Sequence, residues 1–352
     1  MRLKEVLSFD DVLLVPQYSD ITSRKNIQTK QTFQIKDKNL DMSFKIPIIS
    51  SPMSTITEYQ MANSIAKLGG LGIIHRYNSI EEQVQQLKKV SHPTKKAAAV
   101  GCSGDNKERT HELVSAGANY ICIDVAHGDH IMVKETIEYI KTNFSNIVII
   151  AGNVATGNGY RRLSEWGADF VRTSVGSGSI CTTRVQTGHG IPTLQAVFDC
   201  NKAREELVTT NRKAAYIIAD GGIKNTGDIA KSIAAGADLV MLGSMISGTE
   251  ETPGEIKTTS IENFKYKEYN GMASKLAQEK WKGSYSSVEG VTSLVPFKGY
   301  VSNVIDEIIG NLKSAMSYSG SNDFDDFREN VQFVRQTQNS FIEGNPHILN
   351  KK

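Results

Sequence analysis

Eight short runs rich in Ile, Val and Ala recur along the chain, at 46–50, 70–74, 97–100, 120–125, 147–151, 169–173, 215–219 and 238–242. Near-continuous apolar runs of this length suit strands buried on both faces, the condition of a parallel sheet. Between them lie segments with helical spacing of apolar residues, among them 58–68, 79–90, 106–116, 129–143 and 228–235. Three helices close on one phrase before the next strand: Ala116-Gly117-Ala118, Trp166-Gly167-Ala168 and Ala235-Gly236-Ala237. Glycine there stops the helix in a left-handed conformation. Eight such units predict an α/β fold, a (β/α)8 TIM barrel, over an open doubly wound sheet. The eighth helix is delayed to about 301–317, so 249–300 reads as a segment inserted over the barrel mouth. The expected organisation is a single catalytic domain over 1–352, with a mobile tail at 345–352.

Composition narrows the functional classes. Forty Lys+Arg against 38 Asp+Glu give a formal charge of +2, with no field to attract nucleic acid. No window approaches 18 consecutive apolar residues, and the N-terminus turns acidic before any apolar stretch develops. A cytoplasmic protein without membrane or nucleic-acid partners is expected. Its four cysteines, Cys102, Cys122, Cys181 and Cys200, lack zinc-site spacing and read as reduced thiols.

In a barrel of this kind the chemistry sits in loops after the strand C-termini. The richest loop follows the sixth strand: Val175-Gly176-Ser177-Gly178-Ser179-Ile180-Cys181-Thr182-Thr183-Arg184. Alternate glycines free its backbone to turn amides or carbonyls on a ligand or ion. An isolated cysteine is usually a packing residue. Glycines, hydroxyls and Arg184 around Cys181 favour a solvent-reachable thiolate nucleophile instead. The seventh and eighth strands end in Asp220-Gly221-Gly222 and Gly243-Ser244, paired glycine loops that suit a phosphate. Asp124 closes the fourth strand, where a carboxylate takes a ribose hydroxyl or an amide, or merely caps a helix. His75 and His127 are weaker candidates, and Glu289 is an acid in the inserted segment. Taken from the residues, the ligand is a phosphorylated small molecule, met by a nucleophilic cysteine and a loop that supplies acid or base.

These residues resemble those of the IMP dehydrogenase/GMP reductase family over nearly the whole chain. The resemblance is carried by Ser8-Phe9-Asp10-Asp11-Val12-Leu13-Leu14, Ser51-Pro52-Met53, Gly152-Asn153-Val154, the cysteine loop, Ala219-Asp220-Gly221-Gly222, Gly271-Met272 and Val295-Pro296-Phe297-Lys298-Gly299. The dehydrogenases usually carry a regulatory (CBS) pair after the second barrel helix, where this chain has a short connector. They also carry a long flap whose Arg-Tyr pair activates water. The stretch from Met272 to Pro296 is short, lacks that pair, and holds Glu289 in the manner of the reductase branch.

The resemblance implies reduction of GMP by NADPH to IMP and ammonia. Cys181 would attack purine C2, Thr183 backed by Glu289 would relay the proton, and hydride would then reach C2. It assigns GMP to Ser179, Asp220, Gly221, Gly222, Gly243, Ser244, Gly271, Met272, Ser287 and Gly290. It assigns the cofactor to Ser23, Arg24, Arg76, Asp124, Val125, Ala126, Val175, Gly176, Tyr285, Ser286, Tyr318, Ser319 and Gly320. Part of that set would belong to a neighbouring subunit of a homotetramer. The backbone carbonyls of Gly176, Gly178, Cys181 and Arg184 would hold K+. Ser286 replaces an arginine usual in the reductases, Ser244 a glycine and Ala273 a serine. Losing that arginine removes a fixed charge for a 2′-phosphate, although Arg24, Lys25 and Arg76 remain, so NADPH is expected and NADH stays open. The competing readings are a compact IMP dehydrogenase using NAD, a catalytically silent purine-nucleotide scaffold, and a flavin-dependent barrel that would leave Cys181 unexplained.

Overall fold

The computed structural model of the protein describes residues 3–258 and 264–346. Residues 259–263 of the inserted segment and 347–352 of the expected tail lie outside the described residues. Strand β1 (Val12–Leu14) pairs with β15 (Phe333–Arg335), and β2 (Gln31–Ile35) forms a hairpin with β3 (Leu40–Phe44). Eight parallel strands then close a barrel: β4 (Ile48–Ser50), β5 (Leu71–Ile74), β6 (Ala97–Val100), β7 (Tyr120–Asp124), β8 (Val148–Val154), β9 (Phe170–Thr173), β10 (Tyr216–Asp220) and β11 (Leu239–Leu242). The last returns to the first, with Val240 opposite Ile48. The expected (β/α)8 barrel is thus the observed fold. The first strand starts two residues later than its apolar run because Pro47 has no N–H to give; its carbonyl instead accepts from Val240 N at 2.8 Å.

Helices wrap the barrel: α1 (Tyr59–Leu68), α2 (Ile80–Lys88), α3 (Asn106–Ser115), α4 (Ile131–Asn143), α5 (Gly157–Trp166), α7 (Thr193–Thr209), α8 (Thr226–Ala234) and α10 (Val301–Tyr318). A short α6 (Thr183–Thr187) follows the cysteine loop, and α11 (Phe324–Asn330) and α12 (Gln338–Glu343) follow α10. Gly117, Gly167 and Gly236 stand at φ +93°, +116° and +112°, the left-handed stops expected from the repeated phrase. Helix α5 opens on Gly157-Asn158-Gly159, poor helix formers, and is started by the Thr156 hydroxyl accepting from Gly159 N. Between β11 and α10 lies a three-stranded antiparallel sheet, β12 (Lys257–Thr258), β13 (Lys265–Asn270) and β14 (Thr292–Pro296), with α9 (Lys275–Lys282) between the last two strands. Among the described residues no helix is long and apolar enough to cross a membrane.

Alternation along the strands separates two cores. Outward residues such as Ile48, Ile74, Ile121, Ile149, Val171 and Val240 pack against the helices. Inward residues such as Ile49, Ile73, Cys122, Ile150, Phe170, Ile218 and Met241 fill the barrel and meet Phe33, Ile35, Met42 and Phe44 of the hairpin. Because Tyr120, Val148, Phe170 and Leu239 begin their strands, the hairpin plugs the N-terminal end of the barrel. Phe33 is its keystone, with ring centroids 5.6 Å from Phe44, 5.3 Å from Phe170 and 4.7 Å from Tyr216. Phe33→Ala leaves a cavity beneath the barrel and should lower unfolding free energy by about 3–5 kcal/mol, read from the urea midpoint.

Candidate active site

The period-two rule that fills the barrel also builds the floor of its mouth. Two residues beyond inward-facing Cys122, Phe170 and Ile218 stand Asp124, Arg172 and Asp220, so the next interior layer is charged. Arg172 Nη1 donates to Asp124 Oδ1 at 2.6 Å, and Nη2 and Nε donate to Asp220 Oδ2 at 2.9 and 3.2 Å. Asn153 Nδ2 adds a donor to the same Asp220 oxygen at 2.7 Å. Gly152 makes room for this arginine: a Cβ there would sit 2.6 Å from Arg172 Cβ. Burial opposes the charge on Arg172, but Asp220 and Asp124 outweigh it and hold the guanidinium protonated well beyond its usual range. Burial also pushes the neighbouring Cys122 thiol up to about 12, which keeps it neutral and inert.

Above this floor a cavity of about 350 Å3 gathers most of the residues singled out in the sequence. The nucleotide set contributes Ser179, Asp220, the Gly221-Gly222 and Gly243-Ser244 loops, Gly271, Met272 and Gly290. The cofactor set contributes Arg76, Asp124, Val125, Ala126, Val175 and Gly176. Gly221 and Gly222 take φ +85° and +73°, and a Cβ on Gly222 would come within 3.2 Å of the Ser177 carbonyl. Tyr269, absent from the sequence expectations, brings its hydroxyl to 3.4 Å from Ser179 Oγ, beside Gly243. Burial raises the pKa of this phenol and keeps it a neutral donor. Its signal was an aromatic directly preceding Asn270-Gly271-Met272 on a strand of alternating burial.

Cys181, Thr183 and Glu289 form one chain of hydrogen bonds. The thiol donates to Thr183 Oγ1 at 3.2 Å, and Thr183 donates to Glu289 Oε2 at 2.7 Å. The backbone holds the chain together. Thr182 N donates to the Glu289 carbonyl at 2.8 Å, Val291 N to Ile180 O at 3.0 Å, and Glu289 N to Ala273 O at 3.1 Å. Gly290 lies so close to the 271–274 turn that a Cβ would meet Ser274 N at 3.1 Å. Arg184 differs from its expected place beside the thiol. Its guanidinium donates to Ser177 Oγ at 2.7 Å and its stem packs on Gly176 and Gly190, so it staples the loop while Thr183 partners the sulfur.

Several expected residues stand away from the cavity. Ser23 caps the turn that holds Arg24, and Tyr318, Ser319 and Gly320 close α10, where Gln17 N donates to the Tyr318 carbonyl at 2.8 Å. Ser319 and Gly320 line a separate hollow with Tyr18. Tyr285 is exposed, with the Lys275 ammonium 4.6 Å from its ring centroid, and Ser286 and Ser287 bond through their backbones to Gln278. His127 is exposed. His75 is buried, accepts from Tyr77 N at Nδ1 and faces Glu58 at 3.5 Å.

The mouth of the plugged barrel thus brings two paired-glycine loops together with a cysteine linked through a threonine hydroxyl to a glutamate. The chain belongs to the IMP dehydrogenase/GMP reductase family, an oxidoreductase family whose domain model matches residues 6–347. It is 34% identical to an inosine-5′-monophosphate dehydrogenase of Borreliella burgdorferi over 407 aligned residues (98% of this chain, 97% of the relative). It is 35% identical to that of Cryptosporidium parvum over 394 residues (97% and 94%). A GMP reductase variant of Trypanosoma brucei, solved with guanosine 5′-monophosphate, superposes with TM-score 0.88 at 26% identity, covering 99% of this chain and 98% of that one.

Replacing Arg172 by methionine removes the cation between Asp124 and Asp220, leaving Asp220 without its ion pair and Asp124 with Arg76 alone. The variant should lose about 3–5 kcal/mol of stability in urea unfolding.

Proposed function

We propose that this protein is a GMP reductase, converting GMP and NADPH to IMP, ammonia and NADP+. The observation that carries this reading is the Thr183–Glu289 hydrogen bond of 2.7 Å, in a lid whose sequence supplies no arginine. Between Arg212 and Arg328 the chain contains no arginine at all, so the water-activating Arg-Tyr pair of the dehydrogenases has no counterpart in this segment. Hydrolysis of a covalent purine adduct needs a base to activate water; ammonia departure needs a proton delivered to nitrogen. The Cys181–Thr183–Glu289 chain suits the second task.

In this reading Cys181 Sγ bonds to purine C2, and its proton passes through Thr183 towards Glu289. The same relay returns a proton to the exocyclic amine, and the C2–N bond breaks as ammonia leaves. Bound NADPH would supply a hydride equivalent to C2, and Cys181 would then leave as thiolate as the C2–S bond breaks. Asp124 and the Val125-Ala126 backbone would hold the nicotinamide end beside Arg76, whose Nε is buried without a hydrogen-bond partner. Ser179, Tyr269 and the two glycine loops would hold the phosphate, and Asp220 the ribose. The carbonyl set of Gly176, Gly178, Cys181 and Arg184 has the neutral oxygen chemistry that suits K+. Those of Gly178 and Arg184 accept one amide each, from Cys181 N and Gly188 N, and retain a second lone pair. Cofactor contacts from Ser23, Arg24 and 318–320 would come from a second subunit of a homotetramer.

The dehydrogenase reading draws on the curated relatives named above. Their alignments of 407 and 394 residues span nearly the full length of both enzymes, so compact dehydrogenases exist and a missing regulatory pair does not choose the branch. A paired assay at 340 nm chooses it. With K+ present, GMP should consume NADPH and release ammonia, whereas IMP with NAD should yield no NADH. NADH and XMP from the second cuvette would sink the reductase assignment. Cys181→Ala should abolish turnover, and Glu289→Gln should lower kcat by about 10²–10⁴-fold, the usual worth of a general acid.

A further inference from the structure

The carboxylate of Glu289 sits on a loop between α9 and β14 whose backbone, at Glu289 and Val291, is tied to the cysteine loop and the 271–274 turn. The side chain that fixes the stretch just before Glu289 is Gln278, in the middle of α9. It is 7% exposed and uses both ends of its amide on the lid backbone. Nε2 donates to the Ala273 carbonyl at 3.1 Å and to the Ser287 carbonyl at 3.0 Å, while Oε1 accepts from Ser286 N at 3.2 Å. The Ala273 carbonyl that receives Gln278 also receives Glu289 N at 3.1 Å. One amide thus joins the turn before α9 to the loop after it, ending two residues short of Glu289.

Helix α9 is itself seated on the barrel. Trp281, three residues on from Gln278, stacks on Tyr77 with ring centroids 4.2 Å apart and planes at 15°. Arg76 lies 5.4 and 5.5 Å from the two ring centroids and donates to the Asp124 carbonyl at 3.1 Å. The glutamine is therefore carried on an anchored helix, and its three hydrogen bonds transmit that fixed position to the loop.

We propose that Gln278 is the positioning residue for Glu289, setting the Thr183–Glu289 contact that the proton relay requires. For its turnover consequence this rests on the reductase reading; its geometric part does not. Gln278 reaches neither the cavity nor the sulfur, so its effect passes through Glu289.

The test is a double-mutant cycle between Gln278→Met, near-isosteric but without donors or acceptors to the lid, and Glu289→Ala. Gln278→Met should lower kcat by about tenfold or more while KM for GMP stays within about twofold, the pattern of an interaction used in the transition state. Added to Glu289→Ala it should lower kcat no further, because the residue it positions is already gone. Cys181 alkylation by iodoacetamide, followed on its own peptide by mass spectrometry, supplies a readout without turnover. In the folded chain the Thr183 hydroxyl is committed to Glu289 and only accepts from the thiol. Freed from Glu289 it turns to donate to sulfur, so each single variant should alkylate faster at fixed pH, and the double variant no faster than Glu289→Ala. Additive losses, or wild-type turnover and alkylation in Gln278→Met, would overturn the proposal. If Gln278→Met does not fold, Gln278→Glu keeps the acceptor for Ser286 N, loses both donors, and serves in its place. A wild-type protein inactive with GMP and NADPH would defeat the reductase reading, while the alkylation cycle would still decide the role of Gln278.

Discussion

One guanidinium sets the terms for everything above it. Arg172 stands at the top of a barrel strand with Asp124 on one side and Asp220 on the other, and without it two carboxylates would face each other across a narrow interior. An ion cluster at that depth is stable when each member is both charge-paired and hydrogen-bonded, and Asn153 and the glycine at 152 complete it. The result is a rigid, polar floor inside an otherwise apolar barrel. Asp124 and Asp220 present their remaining oxygens upward from fixed positions, which is what recognition of hydroxyls and amides needs.

The opposite wall is assembled differently. The cysteine loop and the inserted segment share a short backbone ladder, Cys181 opposite Gly290, and the hydrogen bond of Thr183 with Glu289 spans 106 residues of sequence beside that ladder. Floor and lid meet at Arg76, which leans on Asp124 on one side and on the Tyr77–Trp281 stack on the other. Packing in the barrel, charge at its rim and aromatic stacking under α9 thus converge on one cavity.

Much of this was legible in the residues. The eight strands are doubly buried, and double burial writes itself as uninterrupted Ile and Val; the glycine stops follow from backbone sterics alone. The cysteine loop, the paired-glycine loops and Asp124 and Asp220 also came together where their strand ends placed them. What escaped did so for physical reasons. Arg172 sits inside the run read at 169–173, and its spacing from Phe170 gives its inward direction, but nothing local names the two distant carboxylates it would pair. Tyr269 and Gln278 lie in a segment of weak periodicity, and their roles depend on which distant backbone they meet. The hairpin of Phe33 and Phe44 alternates cleanly, yet its partner is the open end of a barrel, which no local pattern announces. Arg184 was placed beside the thiol by sequence proximity, but the glycines at 176 and 190 give its stem a better seat.

The plug at the base of the barrel has a kinetic consequence. A vessel closed at one end exchanges its contents through the other, so whatever reaches Cys181 passes a mouth that is rimmed in part by the segment that bears Glu289. In the function proposed above, part of that mouth and the proton relay are one piece of polypeptide. On that reading, substitutions that loosen the segment to hasten product escape would also let the carboxylate drift from Thr183, and turnover would be bounded from both directions, by a mouth too tight to open and a relay too loose to fire.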